Sequence, residues 1–176
     1  VGAYTLYDNT TGEKNVAVGN CALQNNTEGW YNVGLGHGAL QTNTTGENNV
    51  SIGRQALNAN TTGGCNIGIG RQSMWLNTTG CYNVALGYSA MYYNKTGGNN
   101  IAMGQNSLNY ANSGTHNNAF GYQALKQNWH GSGNQAVGRD VLACNTTGGC
   151  NDGMGYRALF SNTTGCNNVG IGCGAM

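Results

Sequence analysis

The sequence has no proline, and only 7% of its 176 residues are charged, for a formal net charge of +1. Seven Lys and Arg scattered over this length do not form the clustered basic face that draws a phosphate backbone, so no nucleic-acid partner is expected. No apolar run approaches the roughly 20 residues that cross a bilayer as a helix, and the first residues lack a charged segment followed by an apolar one. Membrane insertion is not expected, and a secretion signal, if the protein uses one, lies outside these residues. Acids are as scarce as bases: Asp8, Glu13, Glu28, Glu47, Asp140 and Asp152 are the whole set, which leaves no regular acidic column for calcium.

What the chain has in excess is Gly, with 31, and Asn, with 29. That bias alone would suggest low complexity, but Val, Ile, Leu and Tyr recur through it, and they recur with a period. Leu6, Leu23, Leu40, Leu57, Met74, Met91, Leu108, Leu125, Leu142, Leu159 and Met176 stand 17 residues apart without an insertion or deletion. Residues 1–176 therefore read as a single repeat array, with repeats starting at 6, 23, 40, 57, 74, 91, 108, 125, 142 and 159, and cut mid-repeat at both ends. Because solenoids carry polar caps and none is visible here, a longer natural molecule is expected.

With the Leu/Met column as position 1, position 10 is Asn in every copy: Asn15, Asn32, Asn49, Asn66, Asn83, Asn100, Asn117, Asn134, Asn151 and Asn168. Positions 7 and 14 are always Gly, position 12 is always Ala, Gly or Ser, and position 13 is always large and apolar. Val or Ile fills position 11 except at Asn118, Gln135 and Asp152. Alternation over positions 11 to 13 predicts a short strand, Gly at 14 lets the chain leave it sharply, and Asn-Thr-Thr-Gly at 4 to 7 is turn chemistry. Helix is disfavoured, since each interior Gly costs about 1 kcal/mol. The fold expected is all-β, a β-solenoid or β-roll of ten 17-residue coils with two strand-like pieces and two turns per coil. Ten coils stacked about 4.8 Å apart make a rod of roughly 48 Å, in which the Asn of position 10 stack as a ladder. Positions 1, 11, 13 and 17 are read as facing inward, with 13 deeper than 11. So thin an interior favours either a flattened coil or several chains sharing a core. Repeats 7 and 8 are expected to be least regular, since Ala111 replaces the turn Asn and Trp129-His130 replaces Thr-Thr.

Asn-Val-Ser-Ile-Gly-Arg-Gln-Ala at 49–56 and Asn-Val-Ala-Leu-Gly-Tyr-Ser-Ala at 83–90 resemble the Ser-Val-Ala-Ile-Gly-x-x-Ala repeats in the head domains of trimeric autotransporter adhesins. The Asn-Thr-Thr-Gly-x-Asn-Asn-Val-x-Ile-Gly form also resembles repeat arrays of phage and related virus tail-fibre proteins. The match spans the whole chain, and the adhesin heads differ in having a shorter period. The resemblance implies a left-handed, trimeric β-roll whose outer surface meets a host or substratum.

Seven Cys form no zinc-knuckle spacing. Cys65 and Cys150 occupy position 9, while Cys81 and Cys166 occupy position 8 of the following coil, so Cys65–Cys81 and Cys150–Cys166 are candidate coil-to-coil disulfides, with small apolar filler thiols as the alternative. His37, His116 and His130 lie in different columns, so no catalytic constellation, metal site or cofactor is expected, and the chain reads as a non-enzyme. Position 15 offers a surface contact column of His37, Arg54, Arg71, Tyr88, Tyr122, Arg139 and Tyr156, suited to stacking on sugars or another fibre, or to shielding the Gly-rich turn. Sequons begin at Asn9, Asn25, Asn43, Asn49, Asn60, Asn77, Asn94, Asn145 and Asn162, and come with the repeated turn. The function expected is a structural fibre segment, a rigid extracellular, cell-surface or virion-surface shaft used for attachment. Its partners would be copies of itself, as a homotrimer or a head-to-tail polymer, and a host glycan or protein receptor. A self-assembling extracellular filament subunit is the alternative, and an ice- or glycan-binding solenoid ranks below both.

Overall fold

The computed structural model describes all 176 residues as a β-solenoid of stacked 17-residue coils without a helix. Each coil contributes one three-residue strand spanning positions 11 to 13: β1 (Val16–Val18), β2 (Val33–Leu35), β3 (Val50–Ile52), β4 (Ile67–Ile69), β5 (Val84–Leu86), β6 (Ile101–Met103), β7 (Asn118–Phe120), β8 (Gln135–Val137), β9 (Asp152–Met154) and β10 (Val169–Ile171). They form one parallel ten-stranded sheet in sequence order, and every residue pairs with its equivalent in the next coil, as Val50 does with Ile67 and Ile52 with Ile69. No helix is long and apolar enough to cross a membrane.

The second strand expected in each coil is absent. Of 117 backbone hydrogen bonds only 18 belong to the sheet; most of the rest bond coil to coil through the turns, and a smaller set closes turns within one coil, as Asn43 N–H does on the Leu40 carbonyl. At Asn-Thr-Thr-Gly the amides of Thr44, Thr45 and Gly46 converge on the Thr61 carbonyl at 2.9, 3.2 and 3.2 Å, and Thr44 Oγ1 joins them at 3.0 Å. The turn thus stacks on its own copy without needing extended backbone.

The inward residues also differ from expectation. Positions 11 and 13 face outward: Val18 is 46% exposed and Ile69 37%. Position 12 faces inward, and Gly34, Ser51, Ala85 and Ala119 are buried. Nor is 13 the deeper of the two outer positions, since Ile67 at position 11 and Ile69 at position 13 are equally exposed. The cause is space. A Cβ added to Gly34 would lie 3.3 Å from Leu23 Cγ, and one added to Gly68 would lie 3.2 Å from Leu57 Cγ. The Leu/Met column already fills the interior, with Leu23 through Leu142 fully buried, so the strand can turn only Ala, Gly or Ser toward it.

Two buried Asn ladders complete the interior. Asn49 Nδ2 donates to Asn32 Oδ1 at 3.1 Å and to the Gly63 carbonyl at 2.9 Å, and its backbone N–H donates to Asn32 Oδ1 at 3.0 Å. The second ladder runs through position 4, where Asn60 Nδ2 donates to Asn43 Oδ1 at 2.7 Å and to the Gly63 carbonyl at 2.9 Å. Both ladders end on the Gly carbonyl of position 7. That Gly admits no side chain: a Cβ on Gly46 would come within 2.5 Å of the Gly63 oxygen. Position 14 is restricted twice over, since Gly53 has φ +129 and its added Cβ would lie 2.7 Å from the Gly70 oxygen. Positions 1, 9 and 16 are also left-handed although they carry Leu57 (φ 47), Cys65 (φ 58) and Gln55 (φ 58). Such residues cost roughly 1 kcal/mol or more each, and burial of the Leu column offsets the cost at position 1.

Candidate functional site

Three longitudinal surface strips carry chemistry. The first is the outer face of the sheet, where Val16, Val18, Ile52, Ile67, Ile69 and Met103 lie exposed on β1, β3, β4 and β6, and the outer residues of β2 and β5 between them are half-buried. Parallel sheets are ordinarily covered on both faces, so an apolar face left open is informative. Toward the far end it takes polar residues at position 11, and Asn118 Nδ2 donates to Gln135 Oε1 at 2.7 Å. The sheet continues through β7 and β8 without a break, so the irregularity expected of repeats 7 and 8 does not reach the strands. Below them Val137, Met154 and Ile171 line a shallow hollow of about 260 Å³.

The second strip is position 15. His37, Arg54, Arg71, Tyr88, Tyr122, Arg139 and Tyr156 are all exposed. Several act on one another. Arg71 lies 5.7 Å from the Tyr88 ring, and Arg139 sits between Tyr122 at 5.5 Å and Tyr156 at 5.7 Å, so guanidinium and aromatic groups alternate over the last three of these coils.

The third strip was not foreseen. At positions 2, 3 and 5, Trp75, Tyr92, Tyr93, Tyr110 and Trp129 form a continuous aromatic series, with centroid separations of 4.9, 4.7, 4.9 and 6.0 Å. Earlier coils place amides in the same column, where Asn58 Nδ2 donates to Gln41 Oε1 at 3.1 Å and Gln41 Nε2 donates to Gln24 Oε1 at 3.1 Å. The aromatics replace this amide ladder in the middle coils only. Burial, and then the neighbouring phenols of Tyr93, Tyr88 and Tyr110, push the Tyr92 phenol above the usual tyrosine range. The signal in the sequence was the concentration of aromatics at 75–129, following coils that carry Gln24, Gln41 and Asn58 at position 2.

The structure holds all seven cysteines as free thiols. Cys81 stacks over Gly64, not over Cys65, because the coil is 17 residues and the pair is 16 apart; its sulfur accepts from the Gly64 N–H at 3.3 Å, and Cys166 does the same from Gly149. The sequon amides at Asn43, Asn49, Asn60, Asn77, Asn94 and Asn145 are buried within the ladders, so they read as turn and ladder residues, not as a row of glycan acceptors. No three His, Cys, Asp or Glu side chains gather in a way that would hold a metal. Comparison with known proteins gives no matching family model, no matching curated protein and no matching solved structure.

Proposed function

We propose that the chain is a segment of a non-enzymatic fibre, a rigid shaft on a cell or virion surface, in which three copies pack their sheet faces around a common axis. The observation that carries this reading is the outward apolar ribbon of positions 11 and 13, including Val18, Ile52, Ile69 and Met103. Each coil is already closed around its own Leu and Asn columns, so the ribbon adds nothing to the interior of its own chain. Water contact along such a ribbon costs roughly 25 cal/mol per Å² of apolar surface, and burial against identical ribbons removes that cost. Identical copies present the same coil spacing, so the ribbons meet in register over their length. The interior, built mainly of Leu, Met, Asn, Ala, Gly and Ser, supports a mechanical role: it leaves no enclosed site for chemistry and bonds each coil to the next throughout.

Sedimentation of the purified chain tests the proposal. A trimer that Ile52→Asp together with Ile69→Asp converts to folded monomer supports it. A parent chain that sediments as a monomer overturns it. Open-ended polymers whose size grows with concentration support the filament reading instead.

A further inference from the structure

We propose that coils 5 to 7 carry a binding site for a neutral carbohydrate, built on the aromatic strip. Tyr88, Tyr92, Tyr93 and Tyr110 wall an open depression of about 370 Å³, a volume within the range of small-ligand sites. Ser89 and Asn109 lie at its base, 6% and 7% exposed. Asn109 Nδ2 is used, donating to the Ser89 carbonyl at 2.8 Å and toward Asn106 Oδ1 at 3.4 Å. Ser89 Oγ and Asn109 Oδ1 have no partner within the chain, yet neither is sealed from solvent as Ser73 Oγ is. The phenol hydroxyls of the four tyrosines are likewise unpartnered within the chain. A nearly buried hydroxyl and amide left open toward an aromatic-walled depression form a site that a hydrogen-bonding ligand completes.

The chemistry of the lining selects the ligand. No charged residue lines the depression; Arg71, 5.7 Å from the Tyr88 ring, and Lys95 in the adjoining hollow lie beside it, so a phosphate, sulfate or carboxylate at its base would have no counter-charge in direct contact. A polyhydroxylated ring meets both demands, pairing with several hydroxyl and amide groups while its C–H faces contact aromatic carbon. The site also has length. Tyr93 stacks on Tyr110 at 4.9 Å and 12°, and Tyr93 also lines a second hollow of about 210 Å³ shared with Lys95, Asn112 and Trp129. An oligosaccharide lying along the rod would occupy both. This strip follows the Gly turn of position 14 and is separate from the sheet ribbon, so the proposal stands whether or not the ribbons pack together.

Isothermal titration of the intact chain with short neutral chito-, cello-, manno- and galacto-oligosaccharides tests the site, with a heparin fragment as the anionic comparison. At least one neutral series is expected to bind. Tyr110→Ala should weaken that binding by about tenfold or more, and Tyr93→Phe, which removes only a hydroxyl, should weaken it severalfold. Tyr82→Phe, exposed at position 9 and in none of the three strips, serves as the unaffected control, and circular dichroism verifies that each variant folds. Absence of binding across the neutral series, equal affinity in Tyr110→Ala and the parent, or preference for the heparin fragment would each overturn the proposal. None of these results bears on sedimentation, so the fibre reading stands or falls separately.

Discussion

Asn94 Oδ1 is buried without a hydrogen-bond partner because Ala111 stands where the next coil should supply an Asn amide. Everywhere else from Asn26 to Asn77 the position 4 ladder is continuous, with separations of 2.7 Å at Asn43, Asn60 and Asn77. Beyond the gap, Asn128 keeps its bond to the Gly131 carbonyl and accepts from Asn145 at 2.7 Å, but has no ladder bond to the preceding coil. Replacing the small residue should therefore heal the column. Ala111→Asn is expected to raise stability by about 1 kcal/mol, read as a higher denaturant midpoint at unchanged slope. An unchanged or lowered midpoint would show that the gap is better left empty.

The intact ladder makes the opposite prediction. Asn83 donates to Asn66 Oδ1 and to the Gly97 carbonyl, and its own Oδ1 accepts from Asn100. Asn83→Ala leaves the buried Asn100 N–H without a partner and takes one donor each from Asn66 Oδ1 and the Gly97 carbonyl, which keep the Asn83 N–H and Asn94 Nδ2, and is expected to cost about 3 kcal/mol or more. Chemical denaturation measures it, and a loss below about 1 kcal/mol would mean that the coils slide to re-pair.

Leu57 and Ile69 separate the interior from the ribbon. Leu57 is fully buried, so Leu57→Ala should destabilise a single chain by about 3 kcal/mol. Ile69 is 37% exposed on the outer face, so Ile69→Ala should cost a single chain much less and act mainly on association. Unfolding and sedimentation measured on both variants would reverse this assignment if Ile69→Ala proved the more damaging to an isolated monomer.

Alkaline pH probes the aromatic strip. The Tyr92 phenol is raised, first by burial and then by the neighbouring phenols, so the folded chain holds this proton where the unfolded chain has released it. Its contribution to stability is complete below the ordinary tyrosine value of about 10, and is lost as pH rises from there through the folded value. Tyr92→Phe should flatten that alkaline decline. An identical decline in parent and variant would assign it to other groups.

Much of this architecture was legible because it is written in columns. A strict 17-residue period, Asn at every position 10 and Gly at every position 7 and 14 lead directly to stacked coils and an Asn ladder. Which way the strand faces was harder to read. Alternation over three residues is symmetric, and it places Val50 and Ile52 inward beside the Leu column as readily as outward. The strict small residue at position 12 was the missed signal, since only a space already filled by Leu40 and Leu57 demands it. The left-handed backbone at Leu57 and Gln55 could not be read, because neither residue type advertises it. The aromatic site was hidden for a different reason: Tyr93 and Tyr110 are a full repeat apart in sequence and become neighbours only when coils stack.

The pairing of every residue with its equivalent 17 positions on makes rod length a discrete quantity. Removal of residues 57–73 would join Ala56 to Met74 and hand each column to the next coil unchanged, shortening the rod by one step of about 4.8 Å. Removal of a single residue would offset the Leu column, both Asn ladders and the sheet together, turning polar amides toward methyl groups in every coil beyond it. A lineage carrying this sequence can therefore tune reach only in whole coils, by duplicating or losing multiples of 17 residues.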